Sequence, residues 1–301
     1  MSRANDSAWV GIRTIDDAVG KRGSSNQRDN GITMVIDTGI GVVGTQDHVE
    51  IAGDYIDLWK FAFGTSAVTP RKVLARKLAI LREANILTMP GGTLLEVALE
   101  GSNELDSIRL YLQRAKELGF PAVEISDGSV EMTPGVRRYA IETSHEFGLI
   151  PYTEVGSKDP RRQPSPERLV ELALTDIDNG VEKVIIEGRE SGKNVGIYDR
   201  DSNICELTLD IIADGLADHL EKLIWEVPQK SQQAALIQRF GCDVNLGNID
   251  CRDAIALEAL RRGMRYETLA AERRSSTPQV DERVARQRQA QALAILSMVS
   301  P

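Results

Sequence analysis

The chain alternates short apolar runs with longer amphipathic stretches, and five of the eight short runs carry a carboxylate at or near their C-terminal end. The runs are GITMVID (31–37), DYIDLWK (54–60), ILTMP (86–90), PAVEIS (121–126), LIPYTEV (149–155), EKVIIE (182–187), KLIWEV (222–227) and CDVNLG (242–247). Their length and flanking turn residues predict β-strands. The charges at or beside their ends are Asp37, Lys60, Glu124, Glu154, Glu187 and Glu226. Acids are poor strand residues, so their recurrence at one end points to a shared environment there.

Between the runs, helical periodicity appears over 68–85, 103–119, 133–148, 165–180 and 231–241. Pro70, Pro134 and Pro166 stand at helix starts, where a missing N–H costs nothing, and Gly119, Gly148, Gly180 and Gly241 stand just past the ends. In RLVELALTDI, Leu169, Leu172 and Ala173 or Ile177 share one face, as in a helix covering a sheet. Strands alternating with helices predict a parallel sheet. Eight such units over residues 31–265 match a closed (β/α)8 barrel of the TIM type, whose chemistry sits at the C-terminal strand ends. The alternative is an open doubly wound sheet. DTGIGVVG (37–44) follows the first strand, but it lacks the GxGxxG spacing that such a sheet usually carries. Residues 1–30 read as a polar N-terminal extension, mobile or peripheral, and residues 266–301 as a polar linker with an Arg/Gln/Ala-rich helical tail.

Composition narrows the class of partner. In 301 residues, 42% are hydrophobic and 27% charged, and the net charge is −9, which argues against nucleic acid or an acidic membrane surface. Cys205, Cys242 and Cys251 have no metal-type spacing, and no apolar leader or membrane-length run occurs, so a cytoplasmic location is expected. His48, His145 and His219 fall within helical stretches, and neither a GxSxG elbow nor a Walker A loop is present. Chemistry therefore falls to carboxylates, lysines, arginines and backbone amides.

Carboxylates converging on one mouth need positive charge between them. Mg²⁺, which prefers hard oxygen ligands, is one source, and salt bridges to Lys60, Lys158, Arg189 and Lys230 are the other. These four cations follow strands two, five, six and seven. With the turns GGT (91–93), GRESG (188–192) and NLGN (245–248), they form a candidate anion pocket, most simply for phosphate.

The motifs TMVIDTG, AGDYIDLWKFAFGTSAV, MPGGTLLEVA, ELGFPAVEISDGS, TEVGSKDP, VIIEGRESGKNVGIYD and WEVPQKSQQAALIQRFG, in this order over residues 31–265, resemble the phosphosulfolactate synthase family. The resemblance implies a (β/α)8 barrel that adds sulfite to phosphoenolpyruvate with Mg²⁺. The product would be (2R)-phospho-3-sulfolactate, and the reaction the first step of one route to coenzyme M. It implies Lys158 as the acid that protonates C2, its pKa lowered by neighbouring cations, with Lys60 and Arg189 as further catalytic groups. Lys230, Gln229, Gly188, Ser191, Gly192, Gly91, Gly92, Thr93 and Asn245 would bind substrate or phosphate. Glu124, Glu154 and Glu187 are the metal-ligand candidates, with Asp37 supporting. A homo-oligomer, a trimer being one form, is expected. Three departures stand out: Thr38 where the family commonly has Lys, AFG (62–64) for GWG, and TEVGSK for TEVGKK. They keep two alternatives open, a different nucleophile adding to phosphoenolpyruvate and a non-catalytic, stress-associated interaction protein.

Overall fold

A computed structural model describes residues 8–269 apart from 21, 23–25, 27, 101 and 102. Eight strands form one parallel sheet: β1 (Thr33–Asp37), β2 (Leu58–Phe61), β3 (Leu87–Pro90), β4 (Ala122–Ile125), β5 (Ile150–Val155), β6 (Lys183–Ile186), β7 (Leu223–Glu226) and β8 (Leu246–Asp250). The hydrogen-bonded order is β3-β2-β1-β8-β7-β6-β5-β4. β3 and β4 lie side by side, so the sheet closes on itself as a (β/α)8 TIM barrel. After α1 (Arg13–Gly20), the helices are α2 (Val42–Ala52), α3 (Thr65–Val68), α4 (Arg71–Glu83), α5 (Thr93–Leu99), α6 (Glu104–Leu118), α7 (Pro134–Glu146), α8 (Pro166–Asp178), α9 (Glu206–Gly215), α10 (Lys230–Phe240) and α11 (Ala254–Arg261).

Local chemistry sets these boundaries. Asn103, Thr133 and Ser165 accept hydrogen bonds from first-turn amides of α6, α7 and α8, and Pro134 and Pro166 open the last two. Gly119 ends α6 at φ 92°, a left-handed conformation that a side chain would strain. α2, α5, α9 and α11 escape a reading based on periodicity, because they are short or apolar on several sides.

Two apolar layers hold the barrel. One lies between sheet and helices and includes Trp59, Phe61, Val123, Ile125, Val184, Ile186 and Trp225. The other fills the barrel interior with Met34, Leu58, Met89, Ala122, Tyr152, Ile185 and Ile224. Successive strand residues alternate between these faces, so residues two positions beyond the interior layer point inward as well. They are Ile36, Lys60, Gly91, Glu124, Glu154, Glu187 and Glu226, a charged layer stacked on an apolar one.

Asp37 has the opposite parity. It shares a face with Val35, buried in the outer layer. Its carboxylate accepts from Trp59 Nε1 at 3.0 Å and from the Gly39 and Ile40 amides at 2.9 Å each, and it contacts Lys77 Nζ of α4 directly. This network clamps the β1–α2 turn to α4, so Asp37 does not reach the mouth as a metal ligand.

The last strand also lies further along than the run CDVNLG implied. The Cys242 and Val244 carbonyls are capped by Arg261, and Cys242 O also by Arg22, which pins this stretch as a turn before β8. Asn245 therefore sits at the N-terminal end of the barrel, where its amide donates to Glu221 O and Leu223 O and its oxygen accepts from Ile32 N. The mouth is at the other end. In the N-terminal lead-in, the Arg22, Asn26 and Arg28 side chains bind Glu258, Gly53 O and Asp57, which tethers it to the same bottom face. The helical tail expected beyond residue 269 lies outside the described residues.

Removing one partner of a buried ion pair leaves the other charge uncompensated. Asp37→Ala should destabilise the protein by about 3–5 kcal/mol in denaturant unfolding. Activity per folded molecule should persist; an unchanged stability together with lost metal affinity would restore Asp37 to the ligand set.

Candidate active site

The charged layer opens into a cavity of about 250 Å³ at the C-terminal strand ends. Its floor is Lys60, Glu124, Glu154, Glu187 and Glu226, each no more than 5% exposed. Its rim includes Phe63, Gly91, Gly92, Thr93, Lys158, Arg189 and Asn248. Lys60 Nζ lies 2.8 Å from Glu226, 2.9 Å from Glu124 and 3.7 Å from Glu154. Lys158 Nζ lies 2.6 Å from Glu154, 3.1 Å from Glu187 and 3.3 Å from Glu96, and 3.0 Å from Ser126 Oγ. Glu154 thus bridges the two ammoniums.

Backbone amides fix the carboxylates. Gly92 N donates to Glu124 at 2.7 Å, Arg189 N to Glu187 at 2.7 Å and Gly188 N to Glu226 at 2.9 Å. A Cβ on Gly92 would fall 2.4 Å from that of Ser126, so the approach of this turn to β4 requires glycine. Arg189 reaches its place through a left-handed backbone, φ 56°, which leaves its guanidinium about one-third exposed on the cavity rim.

The other expected substrate-binding residues are placed elsewhere. Lys230 is exposed and pairs with Asp253 at 3.1 Å, outside the cavity lining. Gln229 caps α10 and donates to Ser191 O and Ser202 Oγ, while Gln232 donates to Gly192 O, so this turn holds itself together. Gly188 contributes its amide to Glu226, and its approach to the Glu226 carbonyl excludes a side chain. Glu96, Ser126 and Asn248 were missed. Ser126 lies two residues past Glu124, so strand parity already points it inward. Glu96 is a lone acid in an apolar helix, TLLEVAL, which is itself a signal.

A family model described as (2R)-phospho-3-sulfolactate synthase matches residues 21–267 of the chain. The chain belongs to the phosphosulfolactate synthase family, and it is an enzyme. Proteins named phosphosulfolactate synthase are similar throughout. The one from Methanothermobacter thermautotrophicus is 41% identical over 82% of this chain and 94% of its own. That from Methanocaldococcus jannaschii is 42% identical over 79% and 93%, and that from Bacillus subtilis 37% over 81% and 94%. Among solved structures, a type I 3-dehydroquinate dehydratase from Clostridium difficile superposes at a TM-score of 0.50 with 12% identity, covering 79% of this chain and 94% of its own, and shows the barrel fold alone. Among the described residues, no helix is long and apolar enough to cross a membrane.

In this phosphosulfolactate synthase family member the cavity carries more carboxylates than cations. Glu124, Glu154, Glu187, Glu190 and Glu226 line the cavity together with the Lys60 and Lys158 ammoniums and the Arg189 guanidinium. At formal charge two negative charges are left over, the complement of one divalent cation. Glu154, Glu187 and Glu226 can each bring one oxygen within 4.8 Å of the others'. Burial, with Glu154 and Glu226 close by, pushes the Glu187 carboxyl well above its ordinary range, and its Oε2 makes no hydrogen bond beyond the ion pair with Lys158. Hard oxygens, buried and short of positive charge, fit a divalent metal. The set that converges is Glu154, Glu187 and Glu226; Glu124 is held by Lys60 and Gly92.

Lys158 departs from the expected environment. Its neighbours are carboxylates, and although burial opposes its charge, Glu154, Glu187 and Glu96 hold its pKa above the ordinary lysine range rather than below it. Lys60 is likewise raised, because Glu124, Glu226 and Glu154 outweigh burial. Burial opposes ionisation of Glu154 too, yet Lys158 and Lys60 prevail and keep it ionised.

Burial raises Glu124 from its ordinary 4.5 to about 7 despite the Lys60 ammonium. A carboxyl whose folded pKa is raised binds more protons folded than unfolded. Its contribution is present below the unfolded value of 4.5 and is lost as pH rises through about 7. Glu187 acts with the same sign. The thermal midpoint of metal-free protein in EDTA should therefore fall between pH 5 and 8, and Glu124→Gln should flatten this slope. A midpoint that rises across that window in both proteins would contradict the arrangement.

Proposed function

We propose that this enzyme adds sulfite to C3 of phosphoenolpyruvate, with Mg²⁺, to give (2R)-phospho-3-sulfolactate, a precursor on one route to coenzyme M. The observation that carries the reading is the two-charge deficit of the carboxylate layer beside Lys158. The relatives' names, with the family resemblance carried by EISDG, TEVG and IIEGRESG, supply the substrate class.

The sulfur lone pair forms the S–C3 bond, and the π pair of C2=C3 moves through C2 into the carboxylate. A divalent metal held by Glu154, Glu187 and Glu226 would stabilise the charge that develops on that carboxylate. Lys158 is charged, only part-buried and on the cavity rim, so an N–H bond can break as the C2–H bond forms. The neutral amine then regains a proton from solvent or from bisulfite. Arg189 and the turn Gly91–Thr93 face the cavity and orient the anionic groups. Glu124, Glu226 and Glu154 hold Lys60 between them and keep it ionised.

The departures from the family pattern fall mostly outside the cavity. Thr38 is exposed, and Ser157 accepts from the Asp159 amide at 3.1 Å without lining the pocket, so neither changes the reacting surface. Ala62 and Phe63, within AFG, both line it. The departures leave the charged lining of the cavity unchanged, which supports the sulfite reading.

Purified protein should consume phosphoenolpyruvate only when sulfite and Mg²⁺ are both present, followed by phosphorus NMR. No consumption with all three present would overturn the reading. Mg²⁺ or Mn²⁺ should also raise the thermal midpoint of the wild type and not of Glu187→Gln, a readout free of turnover. Removing the acid should cost about 10²–10⁴-fold in kcat. Lys158→Ala is thus expected to bind phosphoenolpyruvate by calorimetry while losing turnover, and normal turnover in it would take the acid role away from Lys158.

A further inference from the structure

We propose that Glu96 and Ser126 are positioning residues that aim the Lys158 ammonium, an inference that rests on the acid role proposed above for Lys158. Neither residue lines the cavity, so neither touches substrate. Both are buried behind the lysine: Glu96 is 2% exposed and Ser126 fully covered. Glu96 Oε1 accepts from the Gly128 amide at 3.1 Å, from Lys158 Nζ at 3.3 Å and, in a direct contact, from the Ser126 hydroxyl. Ser126 Oγ in turn accepts from Lys158 Nζ at 3.0 Å. Lys158 N donates to Gly128 O at 2.9 Å, so one turn holds the lysine at its backbone and, through Glu96, at its tip. A Cβ on Gly128 would fall 2.7 Å from Nζ, which shows how closely the turn packs on the ammonium.

Lysine needs this because its four-carbon stem is flexible and its head is a point charge without preferred direction. An ammonium has three N–H groups, and four oxygens surround this one. Two of them belong to Glu154 and Glu187, members of the converging carboxylate group. Oxygens engaged by a cation have less to offer Nζ. Glu96 stands outside that group, so it is the anchor independent of what the group holds, while Ser126 Oγ, 2.9 Å from Glu154 Oε1, lies between the two. The Glu96–Ser126 pair is fixed from three elements, α5, the end of β4 and the β4–α7 turn, which is what preorganisation of a flexible acid demands.

The test is a double-mutant cycle on the full chain, using phosphoenolpyruvate and sulfite with Mg²⁺. Misplacing a reacting group by about 1 Å costs on the order of 100-fold, so Glu96→Gln should lower kcat by about that factor and leave KM for phosphoenolpyruvate within about twofold. Ser126→Ala should lower kcat in the same direction with a smaller effect. Combined with Lys158→Ala, Glu96→Gln should add no further loss, because residues that act as one unit are non-additive. Losses that multiply would overturn the inference, since they would mean that Glu96 acts through the fold and not through Lys158. A readout independent of turnover is the rate at which Lys158 is acylated by acetic anhydride, followed by peptide mass spectrometry at matched thermal stability. That rate should change in both single variants and remain unchanged at Lys193, an exposed lysine away from the pair. An inactive wild type would overturn the proposed reaction, while the acylation rates would still decide whether Glu96 and Ser126 hold the lysine. Identical Lys158 rates in all three proteins would overturn the inference alone.

Discussion

The interaction on which the rest depends is the contact of the Lys60 ammonium with Glu124, Glu154 and Glu226 inside the barrel. The strand period forces every second residue inward, so a layer of acids above the apolar layer can exist only if something positive stands among them. Lys60 is the one cation that strand parity places there. Burying a charge costs several kcal/mol, and the cost is offset only where geometry and further hydrogen bonds are good. Here the same lysine joins acids from β4, β5 and β7, three strands on one side of the barrel, to β2 on the other. The fold and the site therefore share an element: what closes the upper barrel electrostatically also forms the cavity floor.

The amides around the mouth extend this coupling. The turn after β3 holds Glu124 of β4, and the turn after β6 holds both Glu187 and Glu226 of β7. Each acid is thus set by backbone, whose position is fixed by strand pairing, and not by a mobile side chain. Outside this ring, Arg137 of α7 donates to Asp127, to Asp176 and to the Glu154 carbonyl, which ties the β4 and β5 ends to α8. Helix packing is carried inward to the acid that bridges the two lysines. An oriented carboxylate set of this kind needs no reorganisation when charge develops in the cavity.

Parity also explains which parts of the site were legible in the sequence. The strands and the barrel follow from runs, prolines and glycines that act locally, and the structure follows them closely. The acids at 124, 154, 187 and 226 are legible because each lies two residues past an apolar interior residue: 122, 152, 185 and 224. Asp37 looks like a fifth member, but it follows Val35 of the outer layer, so the same rule turns it toward Lys77. Asn245 was misplaced because CDVNLG resembles a strand, whereas Arg22 and Arg261, one of them 220 residues away, take the carbonyls that a ladder would need. Long-range contacts of that kind leave no trace in a local pattern. Lys230 and Gln229 are similar cases: their loop satisfies its own groups around Ser191, Gly192 and Ser202, and faces away from the cavity.

The sign of the Lys158 environment changes how a lysine acid is understood here. A lysine among cations would be a stronger acid because its proton is repelled; this one sits among carboxylates that hold its proton in place. Such a group stays charged over a wide pH range and donates only when the demand beside it is large, as at a carbon that has just gained an electron pair. Two of these carboxylates, Glu154 and Glu187, belong to the group whose oxygens converge within 4.8 Å. On the proposed reading, ligand oxygens and lysine partners overlap at Glu154 and Glu187, so the pull on the Lys158 proton depends on whether those two are otherwise engaged. Proton donation is then coupled to a loaded site by charge alone, with no movement of the barrel required.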